Sequence, residues 1–142
     1  MVILGIVYNV IVLIWVVDGI VETVEKNMRD RMNDDVPTPE WLKEHFFKHY
    51  DPCKLNSTNK VGLIEEWKDH TFVNPPYSNP KPWVEKAILE SRKGKHITML
   101  LRVDVSTRWY KLLMKENIHI AYFNERIFRG SNFCSMLVFI EP

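Results

Sequence analysis

Residues 71–77 read Thr-Phe-Val-Asn-Pro-Pro-Tyr, a short apolar run that ends in an amide and two prolines. β-Branched and aromatic residues favour a strand. Proline lacks the backbone N–H that a central strand requires, so the strand must stop before residue 75. The sequence therefore predicts a buried strand over residues 71–73 that leads directly into a rigid turn, Asn74-Pro75-Pro76-Tyr77.

Predicted helices and strands alternate on both sides of this turn. Upstream, Thr38-Pro39-Glu40 is typical of a helix start, with Thr38 as the N-cap and Pro39 at the first helical position. An apolar stretch then reaches Tyr50 and stops at Asp51. Strands that alternate with helices indicate an α/β fold with a mostly parallel sheet. The downstream segments are a helix at 82–92, a strand at 96–101, a helix capped by Ser106 that extends to Leu113, and strands at 118–123 and 136–140.

The first 32 residues differ from the rest of the 142-residue chain. Residues 1–17 contain no charged side chain, and ten of these positions are Val or Ile. This stretch is short for a membrane helix, which needs about 20 apolar residues, and it lacks the features of a secretion signal. A membrane anchor, a dispensable leader and a buried strand all remain open. We expect an apolar segment with an amphipathic linker helix over residues 1–32 and one working domain over residues 33–142.

The charge pattern favours a polyanionic partner for the second half of the chain. The net charge is only +1, but residues 18–70 carry 8 basic and 12 acidic side chains, whereas residues 79–130 carry 11 and 5. A local excess of positive charge attracts phosphate groups. The candidate phosphate contacts are Lys81, Arg102, Arg108, Arg126 and Arg129.

Cysteine and histidine usage favours a reducing compartment and predicts no metal site. Cys53 and Cys134 are the two cysteines, and they form no C-x-x-C pair. His45, His49 and Cys53 are four residues apart, but Pro52 breaks the helical spacing that would bring them together.

The Asn74-Pro75-Pro76-Tyr77 turn has the groups needed to present an amino group for reaction. The exocyclic nitrogen of adenine is a poor nucleophile because its lone pair is delocalised into the ring. The side-chain oxygen of Asn74 and the carbonyl of Pro75 can accept both amino hydrogens and favour a pyramidal nitrogen, and the prolines keep these acceptors rigid. Tyr77 can stack on a base that has been extruded from a duplex. With a sulfonium methyl donor in line behind the nitrogen, positioning supplies most of the catalysis.

Several shorter matches follow the same order as in one known family. They are Thr38-Pro39, Asp51-Pro52-Cys53, Gly62-Leu63 followed by Trp67, Phe72-Val73-Asn74-Pro75-Pro76-Tyr77, Trp83, Leu100-Leu101, Thr107 with Trp109, and Arg126-Ile127-x-Arg129. Over residues 38–140 the chain thus resembles the phage-type DNA N6-adenine methyltransferase (Dam) family.

The resemblance implies a small Rossmann-like fold, S-adenosylmethionine as the methyl donor, DNA as the partner and a location in the viral or host-cell cytoplasm. Membrane association is expected only if residues 1–17 are an anchor. Many such enzymes have a glycine-rich loop after the first strand, and this chain has no glycine in residues 51–56. The implied catalytic residues are Asn74, Pro75, Pro76 and Tyr77, and the implied cofactor-binding residues are Asp51, Pro52, Cys53 and Thr38.

Two other functions stay open on the sequence alone. The same turn can hold any planar amino group, so RNA adenine or a protein glutamine amide could be the acceptor. The missing glycine loop also allows a non-catalytic module that keeps the fold without binding cofactor.

Overall fold

The computed structural model describes residues 36–55 and 60–142, and a four-stranded sheet lies at their centre. The strand order across the sheet is β1-β2-β4-β3. The strands are β1 (His70–Val73), β2 (His96–Arg102), β3 (Ile118–Tyr122) and β4 (Ser135–Ile140); the helices are α1 (Glu40–Lys43), α2 (Lys81–Ser91) and α3 (Arg108–Leu113). Strands and helices alternate, so the predicted α/β class is confirmed.

The pairing within the sheet corrects the prediction of a mostly parallel arrangement. β1 pairs with β2 in parallel, but β4 is antiparallel to both β2 and β3. Two of the three pairings are therefore antiparallel. The physical reason is the connection from β3 to β4, which contains no crossover helix, so that β4 returns in the opposite direction and lies between β2 and β3.

One strand direction is nevertheless shared by β1, β2 and β3, as the two antiparallel pairings with β4 require. Tyr50 extends this set, because it forms a parallel bridge with Thr71 on the outer side of β1. We call the side of the sheet where β1, β2 and β3 end, and where β4 begins, the carboxyl edge. Asp51 and Asn74 both lie there, one residue beyond the Tyr50 bridge and one residue beyond β1.

Two apolar layers cover the faces of the sheet. On one face, Val73 and Met99 pack with the buried sides of α2 and α3, including Trp83 and Trp109. On the other face, Phe72, Leu100, Leu137, Leu42 and Phe128 form a second cluster. Burial of each large apolar side chain contributes about 1.5–3 kcal/mol, so alternate residues of β1 and β2 hold both layers to the sheet.

The helices begin and end close to their predicted positions, but two predicted caps are wrong. Pro39 is the N-cap of α1, and the Thr38 hydroxyl does not cap this helix. At α3 the cap is Thr107, whose hydroxyl accepts a hydrogen bond from the Tyr110 N–H at 3.3 Å; Ser106 instead contacts Asp104. Between Tyr50 and β1, Lys60–Leu63 form a 3₁₀ turn.

A buried ion cluster connects α2 to the start of β2. Glu90 is fully buried, and its carboxylate contacts the ammonium groups of Lys86 at 2.7 Å, Lys93 at 3.1 Å and Lys95 at 2.6 Å. Burial alone would raise the pKa of Glu90, but the lysine hydrogen bonds outweigh it and lower the pKa to about 2. Lys95 also donates to the carbonyl of Trp67. The cluster therefore holds the end of α2 to the start of β2, at the edge of the sheet opposite the carboxyl edge.

The expectations for residues 1–32 lie outside the described residues, and so does the boundary at residue 33. Within residues 36–55 and 60–142, no helix has the length and hydropathy needed to cross a membrane.

Candidate active site

The Asn74-Pro75-Pro76-Tyr77 turn follows β1 directly and stands at the carboxyl edge. β1 lies between the Tyr50 bridge and β2, and β2 runs in the same direction as β1 and ends at Arg102. Loops at the carboxyl ends of strands in open α/β sheets are where ligands bind. The turn therefore has the position that a catalytic segment needs.

The side-chain amide of Asn74 has a defined orientation. Its Nδ2 donates to the carbonyl oxygen of Val36 at 3.3 Å and to the hydroxyl oxygen of Thr38 at 3.1 Å. A carbonyl can only accept, so the nitrogen of the amide must face Val36. The other end of the amide, Oδ1, consequently faces away from the Val36 carbonyl and the Thr38 hydroxyl.

The prolines and Tyr77 complete a rigid corner. Pro75 is buried and Pro76 is half-buried. The Tyr77 ring makes edge-to-face contacts with Phe133, at 5.3 Å between ring centroids, and with Phe128, at 5.8 Å. The Tyr77 hydroxyl is buried without a hydrogen-bond partner among the described residues, and burial raises its pKa. The contacts thus fix the ring from two sides.

Asp51, the first of the predicted cofactor residues, is a partly buried carboxylate. Its Oδ1 accepts a hydrogen bond from the Cys53 N–H at 2.9 Å, an arrangement that closes a tight turn over Pro52. Burial raises the pKa of Asp51, although this hydrogen bond and nearby Lys54 act in the opposite direction. Next to it, the Tyr50 hydroxyl donates to a carboxylate oxygen of Glu65 at 2.7 Å.

Gly62 packs against this segment at a distance that no side chain could occupy. A Cβ built on Gly62 would lie 2.0 Å from the carbonyl oxygen of Pro52. The carbonyl of Gly62 also accepts a hydrogen bond from the indole N–H of Trp67 at 2.6 Å, and Trp67 stacks with Trp83 of α2. The chain therefore supports the Asp51 turn by a close backbone contact from a later segment, in place of a glycine within the turn.

The predicted phosphate contacts all belong to segments at the carboxyl edge. Lys81 and Arg108 open the helices that follow β1 and β2, and Arg102 ends β2. Arg126 and Arg129 lie in the loop between β3 and β4. The fold therefore places these five residues on the same side of the sheet as Asn74.

Arg102 and Asp104 organise the loop that follows β2. Nη2 of Arg102 donates a hydrogen bond to Oδ2 of Asp104 at 3.1 Å. The pKa of Asp104 is lowered, first by its hydrogen bond with the Ser106 hydroxyl and further by Arg102. Arg102 thus has an acidic partner two residues away in the chain.

The sequence predicts no metal site for this chain. No cluster of three or more His, Cys, Asp or Glu side chains suited to a metal ion is found among residues 36–55 and 60–142.

The sequence predicted Thr38 as a cofactor-binding residue and as a helix cap, but it did not reveal the hydrogen bond from Asn74 to Thr38. It also missed Val36, whose contribution comes from a backbone carbonyl that any residue type provides.

The α/β sheet and the Asn74-Pro75-Pro76-Tyr77 turn at its carboxyl edge agree with the family resemblance described for the sequence. A family model described as DNA N-6-adenine-methyltransferase (Dam) matches residues 48–141. This match covers most of the chain, which therefore belongs to the DNA N-6-adenine-methyltransferase (Dam) family, and the family resemblance of the sequence is confirmed.

Two curated phage proteins are similar to this chain. The DNA N-6-adenine-methyltransferase of Haemophilus phage HP1 is 31% identical over a match that covers 72% of this chain and 70% of the relative. The DNA N-6-adenine-methyltransferase of Escherichia phage T1 is 34% identical over 41% of this chain and 26% of the relative. No solved structure matches the chain.

Proposed function

We propose that this protein transfers a methyl group from S-adenosylmethionine to the exocyclic N6 nitrogen of adenine in DNA. The observation that carries the proposal is the orientation of Asn74, whose amide nitrogen is occupied by Val36 and Thr38 so that its oxygen faces the other way. Both phage relatives are named as DNA N-6-adenine-methyltransferases, which supports adenine in DNA as the acceptor.

The chemistry follows from two acceptors on a rigid corner. Oδ1 of Asn74 and the carbonyl oxygen of Pro75 accept the two amino hydrogens of the adenine. This removes the nitrogen lone pair from conjugation and aims it at the methyl donor. As positive charge develops on the nitrogen, the same two oxygens stabilise it without any rearrangement of the protein. Tyr77 contributes a ring face against the base.

The segment that begins at Asp51 suits S-adenosylmethionine, which when bound supplies an electrophilic methyl carbon on sulfur. The cofactor has an ammonium group and ribose hydroxyls that require acceptors. Asp51 offers a partly buried carboxylate whose Oδ1 accepts a hydrogen bond from the Cys53 N–H, and Glu65 offers a second carboxylate beside Tyr50. We propose that Asp51, Pro52 and Cys53 hold the cofactor, within a fold of the Rossmann-like type.

Binding of DNA is assigned to the cations of the carboxyl edge. Phosphate contacts from Lys81, Arg102, Arg108, Arg126 and Arg129 would position the duplex without reading its sequence. Their placement at the same edge of the sheet as Asn74 is the feature that supports this assignment.

The test uses purified full-length protein, labelled methyl donor and mixed-sequence genomic DNA, with RNA and a glutamine-containing protein as parallel acceptors. We expect transfer to DNA adenine, and loss of at least about 100-fold in rate for Asn74→Ala. Asn117→Ala, which removes an exposed amide at the opposite edge, is the matched control. Transfer only to RNA or protein would overturn the DNA assignment, and unchanged transfer by Asn74→Ala would overturn the catalytic one.

A further inference from the structure

The Asn74 amide is held by a segment that lies 36 to 38 residues earlier in the chain. Thr38 precedes α1, and yet its hydroxyl makes no cap for that helix. The hydroxyl oxygen instead accepts a hydrogen bond from Asn74 Nδ2 at 3.1 Å, while the same nitrogen donates to the Val36 carbonyl at 3.3 Å. Two hydrogens on one nitrogen are thus matched by two acceptors from one neighbouring segment.

This pairing decides which end of the amide meets a substrate. An amide can rotate by half a turn and exchange its oxygen and nitrogen with almost no change in shape. If Asn74 rotated in this way, its oxygen would face the Val36 carbonyl and two acceptors would repel each other. Its nitrogen would then face the substrate and offer donors to an amino group that needs acceptors.

The same geometry accounts for an amide rather than a carboxylate at position 74. Aspartate would place an acceptor oxygen toward the Val36 carbonyl whichever way it rotated, because an ionised carboxylate has no hydrogen to donate. Thr38 could adapt by turning its hydroxyl into a donor, but a backbone carbonyl cannot. Val36 therefore selects asparagine, and Thr38 holds the selected orientation.

We infer that Thr38 is a positioning residue, which keeps Oδ1 of Asn74 directed at the substrate amino group through the Thr38 hydroxyl. This inference rests on the proposed methyl transfer. It differs from the cofactor contact that the sequence led us to expect for Thr38, and the two roles produce different changes on mutation. A cofactor contact acts on the affinity for S-adenosylmethionine, whereas a positioning contact acts on kcat.

The experiment compares Thr38→Val, which keeps the shape and removes the hydroxyl, with Thr38→Ser, which keeps the hydroxyl. We expect Thr38→Val to lower kcat about tenfold, the effect of one lost hydrogen bond. The KM for DNA and the calorimetric Kd for S-adenosylmethionine should stay within about twofold. Thr38→Ser should restore most of the rate, and Asn74→Asp should lose more than Thr38→Val. Thr71→Val is the matched control, because the Thr71 hydroxyl bonds the Lys68 carbonyl at the other end of β1.

A second measurement reads the orientation directly and needs no activity. The side-chain amide signal of Asn74 in nitrogen-15 spectra is the one that disappears in Asn74→Ala. The hydrogens of this amide should exchange with solvent faster in Thr38→Val than in wild type or in Thr71→Val. Unchanged exchange together with unchanged kcat would overturn the positioning role, as would a raised Kd for S-adenosylmethionine with kcat intact. If wild type methylates no DNA, the proposed function fails while the exchange rates still decide the role of Thr38.

Discussion

Gly62→Ala should damage the Asp51 turn even though alanine is the smallest possible addition. The new Cβ would lie 2.0 Å from the carbonyl oxygen of Pro52 and 2.8 Å from its carbonyl carbon. Carbon and oxygen atoms in close non-bonded contact are about 3.3 Å apart, so one backbone segment must move by about 1.3 Å. Neither contacting atom belongs to a side chain that could rotate away.

The expected loss of stability combines two effects. Overpacking against a rigid backbone costs about 1–3 kcal/mol, and movement of Gly62 weakens its 2.6 Å hydrogen bond from Trp67, worth about 1 kcal/mol. The free energy of unfolding should therefore fall by about 2–4 kcal/mol. Because Asp51 moves together with Pro52, affinity for S-adenosylmethionine should fall by at least about tenfold.

Urea unfolding followed by tryptophan fluorescence measures the first effect, and calorimetric titration with S-adenosylmethionine measures the second. Gly94→Ala is the control, since a Cβ there meets nothing within 4 Å and the cost arises only from the positive φ of 95°. It should destabilise by about 1–2 kcal/mol and leave the cofactor affinity unchanged. Wild-type stability and affinity in Gly62→Ala would show that the contact between Gly62 and Pro52 does not support the Asp51 turn.

Three further changes test the ion cluster, the aromatic corner and the cations. The pKa of Glu90, about 2, is below its ordinary value of 4.5, so its stabilisation is complete above about pH 4.5 and is lost as the pH falls toward 2. Glu90→Gln should lower the free energy of unfolding by about 3 kcal/mol at pH 7. It should also make the free energy of unfolding, measured with urea, depend less on pH below about pH 4.5, and an unchanged pH dependence would contradict the lowered pKa of Glu90. Tyr77→Phe removes a buried hydroxyl without a described partner, so methylation should persist and stability should be equal or up to about 1 kcal/mol higher, whereas a large fall in kcat would mean that the hydroxyl takes part in the reaction. The double change Arg126→Ala with Arg129→Ala should weaken DNA binding and lower the slope of log K against log salt concentration by about 2. Lys115→Ala, at the opposite edge, should leave this slope within about 1 of wild type. Equal slopes for the two variants would show that Arg126 and Arg129 do not contact DNA.

Local features of the sequence were sufficient to predict the elements that surround the site. The strand before Asn74 and the turn that follows are determined by an apolar run and two prolines, and neither depends on distant residues. The helix predicted at 82–92 is observed as Lys81–Ser91, and it is followed by Gly94, which has a φ of 95°. These positions depend on interactions within a few residues, so the amino-acid order alone contains them.

The direction of β4 could not be predicted in the same way. The apolar segment at 136–140 was correctly predicted to be a strand, but its place between β2 and β3 depends on the shape of the preceding loop. An antiparallel return and a parallel crossover bury the same side chains of such a strand. Its hydrophobic pattern therefore does not distinguish them.

By itself the sequence determined the family, the Asn74 turn and the order of helices and strands, because each of these depends on which residues are neighbours along the chain. Only the tertiary structure decided that Val36 and Thr38 orient Asn74, that Gly62 supports Pro52, and that Glu90 is buried among lysines. Each of these contacts joins groups that are distant in sequence or depends on a backbone atom that every residue has. No pattern of side chains records such a contact, and it comes into existence only when the sheet and its covering helices have packed.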